Sequence, residues 1–147
     1  MNQTQPSANV IPLPLGTDAV LGALDEVLEF ASETTSVVVF HGDESAALRA
    51  ALLRFDPEQL HFVWRIAGGL VAVRDASEQD ALIWAETVRL AWGHNALSIG
   101  VAGPPYHRQL SAQDHFLAAH AAMDKARSLG GGLSVGASSL LYDVYAA

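Results

Sequence analysis

A mixed β-sheet with helices packed on its faces, an α/β or α+β sandwich, is the fold class that this sequence predicts. Three observations carry the expectation. Short β-branched runs alternate with stretches of helical periodicity, giving the order α-β-α-β-β-α-β-α-(β). One pair of runs, Leu60 to Ile66 and Leu70 to Val73, is joined by Ala67-Gly68-Gly69, and glycine tolerates the positive φ that a tight hairpin turn demands. Half of the 147 residues are hydrophobic, enough for one substantial core.

Each element has its own local reason. Residues 1–16 carry Pro6, Pro12, Pro14 and Gly16 and predict a flexible arm, leaving 17–147 as a single domain. From Thr17 the spacing of Val20, Leu21, Leu24, Val27 and Leu28 is helical. Val37-Val38-Val39-Phe40 predicts a buried central strand. A helix over about Asp43 to Arg54 follows from Ala46, Ala47, Leu48, Ala51 and Leu52, with Asp56-Pro57 ending it. After the hairpin, Ser77 with Asp80 three residues on resembles a capping box and opens a helix to Trp92, whose Leu82, Ala85, Val88 and Trp92 share a face. Gly93-His94-Asn95 stops it, and a strand over Ala96 to Ala102 ends at Gly103-Pro104-Pro105. Ser111 and Asp114 open a last helix that Gly130-Gly131-Gly132 closes. The tail from Leu133 to Tyr145 reads equally as a strand or a short helix.

Charge and composition exclude several function classes. Sixteen acidic against eight basic residues give a net charge of −8, which repels a phosphate backbone, so no nucleic-acid partner is expected. No apolar stretch approaches a membrane span, and the polar start Met1-Asn2-Gln3-Thr4-Gln5 is unlike a signal peptide, so no membrane partner and a cytoplasmic location are expected. Without cysteine there are no disulfides and no thiolate metal sites. The six histidines show no zinc-like spacing: His115 and His120, five apart, diverge around a helix, and His94 and His107 fall in separate loops. Neither Ser98 nor Ser111 has the elbow motif or the positioned His–Asp pair of a nucleophile.

Three segments in order, Arg65-Ile66-Ala67-Gly68-Gly69-Leu70-Val71, Leu97-Ser98-Ile99-Gly100-Val101-Ala102 and Ala119 to Gly130, resemble the GGDEF (diguanylate cyclase) domain over roughly Thr17 to Gly132. The resemblance implies a central sheet of the nucleotide-cyclase palm type. It also implies a Mg²⁺-dependent joining of two GTP molecules, which needs hard carboxylate ligands. At the end of the first strand, where the family has Asp-x-Asp, this chain has His41-Gly42-Asp43; Asp43 reads as a ligand or as a helix N-cap. At the hairpin, the family's acidic third and fourth positions are Gly69 and Leu70. Only Glu44 to Gln59 fills the stretch that reads guanine in the family, and Glu58 and His61 stand where its inhibitory Arg-x-x-Asp would lie. Arg127 matches a phosphate-contacting Lys, and reads otherwise as a cation favoured near a helix C-terminus.

The expectation is therefore a degenerate, truncated GGDEF-like domain with no catalytic residues, no metal and no cofactor. His41, Asp43, Gly68, Gly69 and Arg127 mark a vestigial nucleotide site. Its partner would be another protein or a second copy of itself in bacterial signalling. The alternatives are a non-catalytic sensor of GTP or cyclic-di-GMP, and an enzyme of another kind on the same fold, for which His41, Asp43 and Asp75 would have to share a pocket.

Overall fold

A computed structural model describes residues 22–24, 35–55, 60–66, 68–93, 97–104 and 112–140; the expected arm over 1–16 and the tail beyond 140 lie outside them. Five strands and three helices are complete among these residues: β1 (Ser36–His41), α1 (Ser45–Phe55), β2 (Leu60–Ile66), β3 (Gly69–Arg74), α2 (Glu78–Trp92), β4 (Ser98–Ala102), α3 (Ala112–Ser128) and β5 (Leu133–Gly136). Residues 22–24 are helical, where the sequence places its first helix.

The strands form one mixed sheet in the order β2-β3-β1-β4-β5. β1 runs antiparallel to both of its neighbours, pairing Val39 with Val71 on one side and with Gly100 on the other. β2 and β3 form the expected hairpin, closing on the pair Ile66 and Gly69. Only β4 and β5 are parallel, and α3 is the crossover between them. α1 and α2 also link strands of like direction, each passing over the strand that lies between. The sheet is thus mixed because one tight turn is available and the other connections are helical.

Alternation along the central strand sorts the core into two layers. Val38 and Phe40 face Leu48 and Leu52 of α1 and Ala81, Trp84, Ala85 and Val88 of α2. Val37 and Val39 face Phe116, Ala119 and Met123 of α3, together with Leu24. Residues Ser36 to Phe40 are all buried, so β1 has no polar face, as its β-branched run requires. Phe40 meets the Trp84 ring edge-on at 5.9 Å, and the Arg74 guanidinium lies 4.6 Å over the same ring. α3 lies so close to β4 that a Cβ on Gly100 would sit 2.0 Å from the Ala119 carbonyl oxygen; here the layers meet through backbone.

Several boundaries differ from those expected. α1 begins at Ser45 and not at Asp43, because the Gly42 amide still donates to the Gly68 carbonyl (3.0 Å) and Glu44 sits at φ 60, so helical geometry starts one residue later. Asp43 is therefore not the helix cap. Gly69 is the first residue of β3 and lies outside the turn proper. In α2 the buried face is Ala81, Trp84, Ala85 and Val88, with Leu82 and Trp92 at its edges. Ser77 does cap that helix, accepting from the Asp80 amide, and Gly93 ends it in the left-handed region. The tail is strand and then helix in succession: β5, followed by a turn over residues 137–140.

Candidate functional site

The C-terminal end of β1 and the β2–β3 turn create one end of the sheet, and the sequence-predicted site residues fall there. His41 is the last residue of β1, paired with Gly69 on one side and Ser98 on the other. Gly68 takes φ 82, a conformation that turns the chain tightly and that side chains disfavour. Gly69 lies against the backbone of β1: a Cβ there would be 1.7 Å from the Phe40 carbonyl oxygen. The His41 imidazole packs against the turn, its Cδ2 and Nε2 lying 3.3 and 3.5 Å from where a Gly68 Cβ would be.

Strand alternation puts His41 on the same face as Val37 and Val39, the face covered by α3. From that helix His120, Asp124 and Arg127 follow one another at i, i+4 and i+7, a single line along its surface. Asp124 joins the other two, with an oxygen 3.4 Å from His120 Nδ1 and another 3.5 Å from Arg127 Nη1. All three are roughly half-exposed, so each pair contributes at most about 1 kcal/mol. Burial pushes the His41 imidazole below its ordinary range, and the Arg127 guanidinium adds to that effect; Asp124 and Asp43 pull the other way, and His120 lowers it slightly. His41 is thus mainly neutral near pH 7.

The structure gathers His41, Asp43, Gly68 and Gly69 at this end, with Arg127 acting on His41 from α3. Asp75 follows β3 at the opposite end of the sheet, away from His41 and Asp43, so a pocket shared by these three does not form. Sequence reasoning weighed His120 only against His115 as a metal pair and gave Asp124 no role, although their spacing ahead of Arg127 already placed them on one helical face. His94 and His107 lie outside the described residues.

A divalent cation does not fit the donors present. Mg²⁺ takes hard oxygens in near-octahedral array. Asp43 offers one carboxylate, His41 a nitrogen, and Gly69 no side chain at all. Leu70, beside it, is wholly buried in the α1/α2 core. Asp124 is already engaged by His120 and Arg127. Among the described residues no group of three or more His, Asp or Glu side chains could hold a metal ion. No described helix is long and apolar enough to cross a membrane.

No protein-family model matches the chain, and no curated protein matches it. Solved structures do. The active GGEEF domain of a diguanylate cyclase from Vibrio cholerae superposes with a TM-score of 0.67 at 13% identity, covering 81% of this chain and 94% of that one. The GGDEF domain of DgcB from Caulobacter crescentus, solved in complex with c-di-GMP, gives 0.66 at 16%, covering 93% and 97%. The GGDEF domain of PA1120 (TpbB or YfiN) from Pseudomonas aeruginosa gives 0.63 at 20%, covering 91% and 94%. The fold is therefore that of the GGDEF domains, with their cyclase-palm sheet, and this chain is GGDEF-like in architecture. The chain covers 94% to 97% of each of those domains.

Proposed function

We propose that this domain is a catalytically inactive GGDEF-like module that works in bacterial cytoplasmic signalling by binding, as a regulatory or protein-interaction partner, and not by turnover. The observation that supports this reading best is the contact between Gly69 and Phe40. At the position where the resemblance expects an acidic metal ligand, the backbone lies against the carbonyl of the neighbouring strand and leaves no room for a Cβ. His41 fills the adjoining space, and its uncharged imidazole is a poor ligand for Mg²⁺. Joining two guanine nucleotides through a 3′-hydroxyl needs the metal-held triphosphate that such ligands supply.

The test is incubation of the purified domain with GTP and Mg²⁺, with the products resolved by chromatography. No cyclic-di-GMP is expected at any enzyme concentration. Multiple turnovers of GTP to cyclic-di-GMP would overturn the reading.

A second reading has one observation in its favour. Arg127 and the Gly68 turn stand at the same end of the sheet, and a guanidinium beside a glycine turn can meet a phosphate without metal. On that reading the module senses GTP or cyclic-di-GMP. Calorimetric titration with both nucleotides separates the two: heat that disappears in Arg127→Ala favours the sensor, and no heat favours the protein-interaction module.

A further inference from the structure

The sheet face opposite His41 and Arg127 carries a pair of cations that neither reading of the turn end uses. Val63 of β2 packs in the core with Leu48 and Leu52 of α1, and Arg65, two residues on along the strand, projects to the same side. There its Nε donates to the hydroxyl of Ser45 at 3.2 Å. Arg49 lies one helical turn after Ser45, and its Nε donates to the Val63 carbonyl at 3.3 Å. One arginine thus reaches from strand to helix and the other from helix to strand, side by side. Ser45, Arg49 and Arg65 are all half-buried.

Holding these guanidiniums together is unfavourable in itself. Burial pushes Arg49 below the ordinary arginine value, and the Arg65 charge lowers it further. Bracing α1 on β2 does not call for two like charges, because each brace is a single hydrogen bond that an uncharged glutamine also supplies. The surroundings stay positive as well. α1 and β2 carry Arg49, Arg54 and Arg65 and no acidic residue, on a chain whose net charge is −8. Asp43 and Glu44 precede α1, but both are exposed, where water and salt weaken their field. The first turn of α1, which holds Ser45, adds the partial positive charge of a helix start.

We infer that the slot between α1 and β2 is a binding site for a phosphate group, free or as a monoester, held by Arg49, Arg65 and the Ser45 hydroxyl. Guanidinium forks match phosphate and carboxylate oxygens in pairs. A carboxylate has two oxygens and fills one fork. A phosphoryl group presents three acceptor oxygens, enough to meet both forks and the hydroxyl, and its second negative charge offsets the repulsion between the arginines. Arg127 and Gly68 take no part, since the slot lies on the α1 face and Arg127 acts from α3. The site therefore stands whether or not the turn end meets a nucleotide.

The test is an NMR titration of the isotope-labelled domain with sodium phosphate, against sodium chloride at matched ionic strength and about pH 7.5, where a phosphoryl group is close to dianionic. The Nε–Hε signals of Arg49 and Arg65 and the Ser45 amide should shift together and saturate at millimolar phosphate; chloride should leave them in place. Arg65→Lys keeps the charge, loses the fork and should weaken binding about tenfold. Arg49→Gln should weaken it at least as much, while Arg54→Gln, exposed in the last turn of α1, should bind as wild type. Thermal unfolding provides a second readout: phosphate should raise the midpoint of the wild type and not that of Arg49→Gln. Phenyl phosphate separates the sources, since tighter binding than inorganic phosphate assigns the slot to a monoester and otherwise to the free ion. No saturable shift, an equal response in Arg49→Gln, or shifts confined to Gly68 and Arg127 would overturn the inference. A stability loss in Arg49→Gln that is the same in both salts would reduce the pair to a structural brace and overturn it as well.

Discussion

The two ends of the sheet are built on different principles. At the end marked by Ser36 and Gly103, side chains lock elements together. Glu78, at the start of α2, accepts from the Gly103 amide at 3.1 Å and from both the amide and the hydroxyl of Ser138 beyond β5. The Gly103 carbonyl in turn accepts from His115 Nε2 at 2.8 Å, and the Ser36 hydroxyl donates to the Ala76 carbonyl at 2.8 Å. One hydrogen-bonded path thus joins α3, β4, α2 and the turn after β5. At the other end, where His41, Gly68 and Gly69 meet, the ties are fewer and shorter in reach: Arg65 Nε donates to the Ser45 hydroxyl at 3.2 Å, the Gly42 amide donates to the Gly68 carbonyl at 3.0 Å, and half-exposed charges on α3 stand beside a glycine turn. The firmly bonded end supports the fold, and the sparsely bonded end is left free to carry function.

The largest expected effect is at Gly69. Gly69→Asp, which supplies the acid that the cyclase pattern has there, should destabilise the domain by about 3 kcal/mol, since backbone must move to admit any Cβ. Thermal unfolding measures it. A variant as stable as wild type would show that the β1–β3 contact is looser than described. Gly130→Ala, where nothing crowds the added Cβ but φ is 110, should cost about 1 kcal/mol.

Next comes the bonded end. Glu78→Ala removes the acceptor shared by Gly103 and Ser138 and should cost about 2 kcal/mol in denaturant unfolding. At the other end, Asp124→Ala should stay within about 0.5 kcal/mol of wild type, because its partners are half-exposed. Equal effects at the two positions would erase the contrast between the ends.

His115 sharpens the same contrast through pH. It is wholly buried; its Nε2 donates to the Gly103 carbonyl and its Nδ1 has no hydrogen-bond partner. Burial pushes its pKa below the ordinary histidine value, against the smaller opposing effects of the Gly103 and Ala102 carbonyls and of Glu78. The folded state therefore binds the proton less well than the unfolded state. Its contribution to stability is complete above about pH 6.5 and is lost as pH falls through the lowered folded value. His115→Gln should flatten that part of the stability–pH curve, and an unchanged slope would assign the acid sensitivity to other groups. The smallest expected effect is a shift: in Arg127→Ala the His41 pKa should rise toward its ordinary value, read by NMR titration.

Much of this architecture was legible in the residues. Val37 to Phe40 announced the central strand, Gly68 the turn, and Ser77 with Gly93 the limits of α2, because each is a local rule about backbone or burial. The start of α1 was not legible: it depends on Gly42 remaining hydrogen-bonded to Gly68, a contact between distant segments. Strand order was hidden for the same reason. At the site, His41 and Gly69 stood out against the GGDEF pattern, but the packing of the imidazole on the turn appears only once β1 and β3 are paired. The line His120-Asp124-Arg127 is legible only along the helical face of α3, whereas the sequence pairs His120 with His115 as histidines and marks Arg127 by its match to the GGDEF pattern.

The central claim is that the turn end offers no seat to a divalent cation, and Mn²⁺ tests it most directly. In amide NMR spectra recorded while Mn²⁺ is added, the resonances of Gly42, Gly68 and Gly69 should broaden no more than those of other exposed amides. Selective loss of these signals at substoichiometric Mn²⁺ would place a cation at the turn and contradict the non-catalytic reading.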